Sequence, residues 1–137
     1  MLFRIFICSV LCAEIAVSEE APDCGLYTYK AQMVRVVNGD TVVADIDLGF
    51  SIWLRGEHLR LLGAEAPERR TPEGPAATDA LKARVLKREL IVCTTPMKRS
   101  NAEARGSFGR YLVTIYDQGQ DVNQWLIAKG FAVPFGN

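Results

Sequence analysis

One short run carries most of the residues whose types and spacing suit chemistry. In Leu59-Arg60-Leu61-Leu62-Gly63-Ala64-Glu65-Ala66-Pro67-Glu68 an arginine sits among leucines, and two carboxylates follow, three residues apart. Read as a strand, the alternation sends Leu59 and Leu61 to one face and Arg60 and Leu62 to the other. Gly63 to Ala66 then leave the strand, and Pro67 ends any ladder because it has no N–H to donate. A cation and two acids held at one strand exit suit a site that binds a positive and a negative group side by side. The same residues also suit a solvated sheet edge with Arg60 pairing locally.

The remaining elements must position that run. Tyr27 to Val37 is rich in β-branched and aromatic residues, and Asn38-Gly39 marks a hairpin, with Asp40 at its mouth. Asp40 by itself reads as a turn residue. Thr41 to Leu48 gives a second strand and Ile52 to Leu62 the third of a meander. After the loop Thr71-Pro72-Glu73-Gly74-Pro75, Ala77, Leu81 and Val85 share one helical face while Lys82, Lys87 and Arg88 face outward. Leu90 to Thr94 is a buried-looking fourth strand. Thr95 to Gly109 is a long polar, basic loop, and Arg110 to Tyr116 is a fifth strand with Tyr111, Val113 and Ile115 on one face. Asp121 is placed to N-cap a short helix through Lys129 that Gly130 closes. Five strands with one helix between the third and fourth and another after the fifth predict a mainly β protein, an OB-fold: a five-stranded barrel with two short helices.

The totals set the bounds. The chain has 137 residues, 49% of them apolar, which is one domain with a single core. Sixteen basic residues balance sixteen acidic ones, so the uniform basicity typical of nucleic-acid binders is absent. The charge is nevertheless uneven: residues 55–110 carry twelve basic and seven acidic side chains, a local field able to attract a phosphate. Lone His58 reads as a surface residue.

Met1 to Ser18 reads as a secretory signal peptide, with Arg4, an apolar run from Ile5 to Ala13, and small residues around Ala16-Val17-Ser18. It is too short for a spanning helix. The alternative is an N-terminal helix that packs on a core or membrane. The expected divisions are a signal peptide at 1–18, an N-terminal linker at 19–26 and the domain at 27–137. Cleavage near Ser18 implies a secreted or periplasmic location. It leaves Cys24 and Cys93, which are either a disulfide or two buried thiols.

With those pieces assembled, the chain resembles the thermonuclease (staphylococcal nuclease-like) family. The resemblance rests on Asn38-Gly39-Asp40-Thr41, on Arg60 through Glu68, on Gly109-Arg110-Tyr111-Leu112, and on Val122-Asn123-Gln124-Trp125-Leu126 through Gly130. It implies a calcium-dependent (Ca2+) nuclease, a hydrolase of phosphodiester bonds in DNA and/or RNA; nothing in the sequence itself suggests an obligate protein partner, so a monomer is expected. Carried over by position, Asp40, Glu65 and the Ala66 carbonyl hold the metal, Glu68 is the general base, and Arg60 and Arg110 clamp the phosphate. The sequence departs from the family in three places. Glu65 stands where Asp is usual, Asn38 where many relatives carry Asp, and Phe108 where a tyrosine hydroxyl touches nucleotide phosphate. The competing reading is a non-catalytic OB module that grips single-stranded nucleic acid or a protein through aromatics such as Trp53 and Tyr111.

Overall fold

The computed structural model describes residues 22–136. The signal-peptide reading of residues 1–18 lies outside them. Strands β1 (Thr28–Asn38), β2 (Thr41–Asp47) and β3 (Trp53–Leu61) form the antiparallel meander expected from their alternation. After β3 come β4 (Ala64–Glu65), helix α1 (Gly74–Val85), β5 (Glu89–Thr94), β6 (Tyr111–Asp117), β7 (Gln120–Asp121), helix α2 (Val122–Ala128) and β8 (Val133–Pro134). β5 pairs antiparallel with both β1 and β6. β6 then runs parallel to β3, with Arg60 opposite Leu112, and closes β1, β2, β3, β5 and β6 into a five-stranded mixed barrel with two helices. Closure removes the edges that an open sheet would expose.

Apolar residues of alternating strands fill the barrel: Met33, Val42, Leu59, Leu61, Val92, Val113 and Ile115 are all buried. The face of α1 read from the sequence is the one that packs, because Ala77, Leu81 and Val85 are buried against this core. Leu126 of α2 joins the same cluster. The Asp121 side chain caps α2, accepting from the Gln124 N–H at 2.9 Å, and Gly130 ends the chain's helical path at a φ of +78°.

Two local expectations are corrected and one is extended. The first hairpin forms, but Asn38 pairs with Thr41, so its turn residues are Gly39 and Asp40, and neither has a positive φ. Gly63 to Ala66 do leave β3, which ends at Leu61, but they do not run on unpaired. Ala64 and Glu65 pair with Pro134 and Val133 in a separate two-stranded ladder, a pairing too short to show as periodicity. Arg88 is not a free outward charge: its Nη1 and Nη2 donate to the two Asp117 oxygens at 2.7 and 2.6 Å.

Cys24 and Cys93 form a disulfide, their Cα atoms 5.9 Å apart and 69 residues apart in sequence. Closing a loop of that length stabilises by about 4 kcal/mol in the chain-entropy account. The bond ties the segment before β1 to the inner strand β5.

Candidate active site

Asp40 lies at the centre of the candidate site. Its residue is only 2% exposed, yet its carboxylate has three partners. One oxygen accepts from the Ala66 backbone N–H at 2.8 Å; the other accepts from the Thr41 hydroxyl at 3.0 Å and forms an ion pair with Arg60. A buried carboxylate persists only when charge and hydrogen bonds replace its lost hydration, and all three replacements come from the site itself. The Leu61 N–H also donates to the Asp40 carbonyl at 2.9 Å, so the hairpin tip is fastened to the end of β3.

Gly39 permits that fastening. A methyl group at its α-carbon would stand 2.6 Å from the Ala66 Cβ and 2.8 Å from the Ala77 Cβ, well inside contact distance. The Asn-Gly pair is therefore used here for close approach, not for the left-handed turn it commonly signals. The turn is steadied instead by Asn38, whose side-chain oxygen accepts from the Asp40 N–H at 3.1 Å.

The two guanidinium groups reach the same face of the β3–β6 seam. Arg60 lies opposite Leu112, and Arg110 precedes Leu112 by two residues, so pleating puts both on one side. Arg60 spans the acids, with Nη2 at 3.9 Å from a Glu65 oxygen while Nη1 engages Asp40. Arg110 is aimed by two bonds: Nε donates to the Ser107 carbonyl at 3.0 Å, and Nη1 donates to the Thr41 hydroxyl at 3.3 Å. Because Thr41 in turn donates to Asp40, a continuous run links Arg110, Thr41, Asp40 and Arg60. Nothing local to Asn38-Gly39-Asp40-Thr41 announces this part for Thr41, because Arg110 arrives from 69 residues away.

Arg60, Glu65, Glu68 and Arg110 line one open cleft of about 680 Å³, together with Phe108 and Phe135. Asp40 stands behind its wall and acts on it through Arg60. Glu68 is exposed on the loop after β4. Its backbone is nevertheless fixed, since its carbonyl accepts from the Thr71 N–H at 2.9 Å and the Thr71 hydroxyl at 2.7 Å. A Cβ at Gly74 would fall 2.0 Å from that carbonyl, so the start of α1 presses directly on the loop.

Asn123, legible in the sequence only as part of a motif, has a structural part of its own. Its side chain is 1% exposed and donates to the carbonyls of Leu62 and Val113, both at 2.9 Å, while its oxygen accepts from the Ile115 N–H at 3.3 Å. It thereby locks the exit of β3 to β6, the two strands that carry the arginines. A buried amide within an apolar helix face was the available signal.

For a metal, the side-chain donors present are oxygens only, the carboxylates of Asp40 and Glu65 on either side of Arg60, which suits a hard cation such as calcium. Asp40 and Glu65 already share one cation, the Arg60 guanidinium, which acts as a stand-in for positive charge between them. Among the described residues no three acids, histidines or cysteines form a metal-holding group. The donors fit such an ion in their chemistry, with the Arg60 guanidinium now standing between the two carboxylates.

No curated protein matches the chain. A family model described as staphylococcal nuclease homologue matches residues 58–135, a span that runs from β3 to just past β8 and includes Arg60, Glu65, Glu68 and Arg110. With more than half its length matched, and with the closed barrel and cleft described above, the chain belongs to the staphylococcal nuclease homologue family.

Proposed function

We propose that the protein is a calcium-dependent nuclease that hydrolyses phosphodiester bonds in DNA and/or RNA. The observation that carries this reading is the meeting of Arg60, Glu65, Glu68 and Arg110, from separate segments, around one cleft. Arg60 and Arg110 donate paired N–H groups to the phosphate oxygens, a geometry that lysine cannot reproduce. Their anchoring by Asp40, Thr41 and Ser107 holds the forks in place before substrate arrives. Each fork aimed at charge that develops in the transition state contributes on the order of 3 kcal/mol. Glu68, open to solvent at the cleft, takes a proton from the attacking water.

Asp40, Glu65 and the Ala66 carbonyl would hold the calcium ion, which would supply positive charge beside the phosphate. The disulfide supports a secreted or periplasmic location, because such bonds persist in oxidising compartments. No helix among the described residues is long and apolar enough to cross a membrane. The competing module reading relied on Trp53 and Tyr111 as stacking surfaces. Each carries an arginine over one face of its ring, Arg55 at 4.5 Å and Arg105 at 4.1 Å, so only the other face is open to stacking.

Denatured DNA incubated with the purified chain tests the proposal. Cleavage in calcium that stops on chelation is expected. Tight binding with no cleavage in calcium would instead identify a binding module.

A further inference from the structure

A second concavity lies on the other side of the β3–β6 seam from the cleft. Leu59 and Val113 face inward where Arg60 and Leu112 face outward, and with Leu48, Leu54 and Val92 they line an apolar cavity of about 170 Å³ at a mouth of the barrel. A dry cavity of about 150 Å³ with aliphatic walls accepts a single six-membered ring, so this one has room for a ring and little more. Leu48 and Leu54 form its rim and are 46% and 36% exposed, which gives a small apolar guest a route in.

Two carboxylates stand on this apolar wall, those of Glu57 and Glu103. Neither belongs to an ion pair among the described residues. Glu103 is held from one side only: the Tyr29 hydroxyl and the Thr94 hydroxyl both donate to the same oxygen, each at 2.6 Å. Burial, and then the Glu103 carboxylate, push the Tyr29 hydroxyl up to about 12, the mark of a surrounding that is apolar and negative at once. No lysine or arginine lines the cavity, and Arg105, two residues along the chain from Glu103, is committed elsewhere, to the Tyr111 ring and hydroxyl and to the Gly109 carbonyl.

We infer that this cavity is a binding site for a small organic ammonium with a single-ring apolar body, its ring among Leu54, Leu59, Val92 and Val113 and its charge between Glu57 and Glu103. Apolar walls provide affinity for the ring, and the two acids select a cation over a neutral molecule of the same shape. The site does not depend on the nuclease reading. It lies on the opposite face of the two strands and shares no lining residue with the cleft.

Cyclohexylammonium, with cyclohexanol as the neutral match, is the direct probe, followed by methyl NMR of the full chain. Saturable shifts are expected at the methyls of Leu54, Leu59 and Val113, with at least about tenfold tighter binding of the cation, as a charge-assisted contact provides. Glu57→Gln should remove most of that preference. Glu103→Gln should do the same, and because it also disturbs Tyr29 and Thr94, its melting is checked alongside; Glu57→Gln carries the test if that variant unfolds. Equal binding of the two probes, no shifts at these methyls, or an unchanged preference in Glu57→Gln would each overturn the inference.

Discussion

Replacing Asn123 by alanine tests how the two arginine-bearing strands are held together. The substitution removes two N–H donors and one acceptor from a side chain only 1% exposed. The Val113 carbonyl keeps a partner, the Leu62 N–H at 2.8 Å. The Leu62 carbonyl and the Ile115 N–H lose their side-chain partner, and a buried group left unpaired costs about 1–3 kcal/mol. Adding the small void left by the amide, the expected loss is about 3–5 kcal/mol. For a domain of roughly this size, 1 kcal/mol lowers the midpoint by about 4 °C, so Tm should fall by about 12–20 °C. Urea unfolding followed by tryptophan fluorescence, with the disulfide intact, measures the loss directly. Gln124→Ala, at an exposed position on the same helix, is the control and should stay within about 0.5 kcal/mol. A loss below about 1 kcal/mol for Asn123→Ala would refute the idea that this amide fastens β3 to β6.

Two further predictions concern other parts of the frame. Gly39→Ala should cost about 1–3 kcal/mol, because its methyl would overlap Ala66 and Ala77; a denaturant midpoint equal to that of the parent would contradict the close-approach role. Asp117 is held below its usual range by its hydrogen bonds from Arg88, with burial opposing and the charges of Arg88 and Arg84 adding to the effect. Since the folded value lies below the unfolded one, its stabilisation is present above about pH 4 and lost as pH falls through the folded value. The stability gap between the parent and Asp117→Asn should therefore shrink on acidification into that range; a gap independent of pH would contradict it.

Much of the frame is legible in the sequence because it depends on local periodicity. Leu59 and Leu61 alternate with Arg60, and Ala77, Leu81 and Val85 repeat at helical spacing, so the pattern alone assigns their faces. The partner of each group is another matter. Gly39 is needed because Ala66 and Ala77 arrive against it from later elements, and no feature of the hairpin announces their approach. Asn123 bonds a carbonyl 61 residues away, and Arg88 meets Asp117 across 29 residues, distances at which composition carries no information about contact. The ladder of Ala64–Glu65 with Val133–Pro134 is two residues long, too brief for alternation to register. Glu68 illustrates the same limit at the site: its loop position could be read, but its exposure depends on how the start of α1 packs behind it.

Cleavage of denatured DNA by the parent chain and by Glu68→Gln, both in calcium, tests the central claim most directly. Glu68 is exposed, so the substitution should leave melting unchanged and isolate the chemistry. The account predicts at least about a hundredfold slower cleavage in the variant, the usual consequence of losing a general base. Cleavage by Glu68→Gln at the parent rate would contradict it.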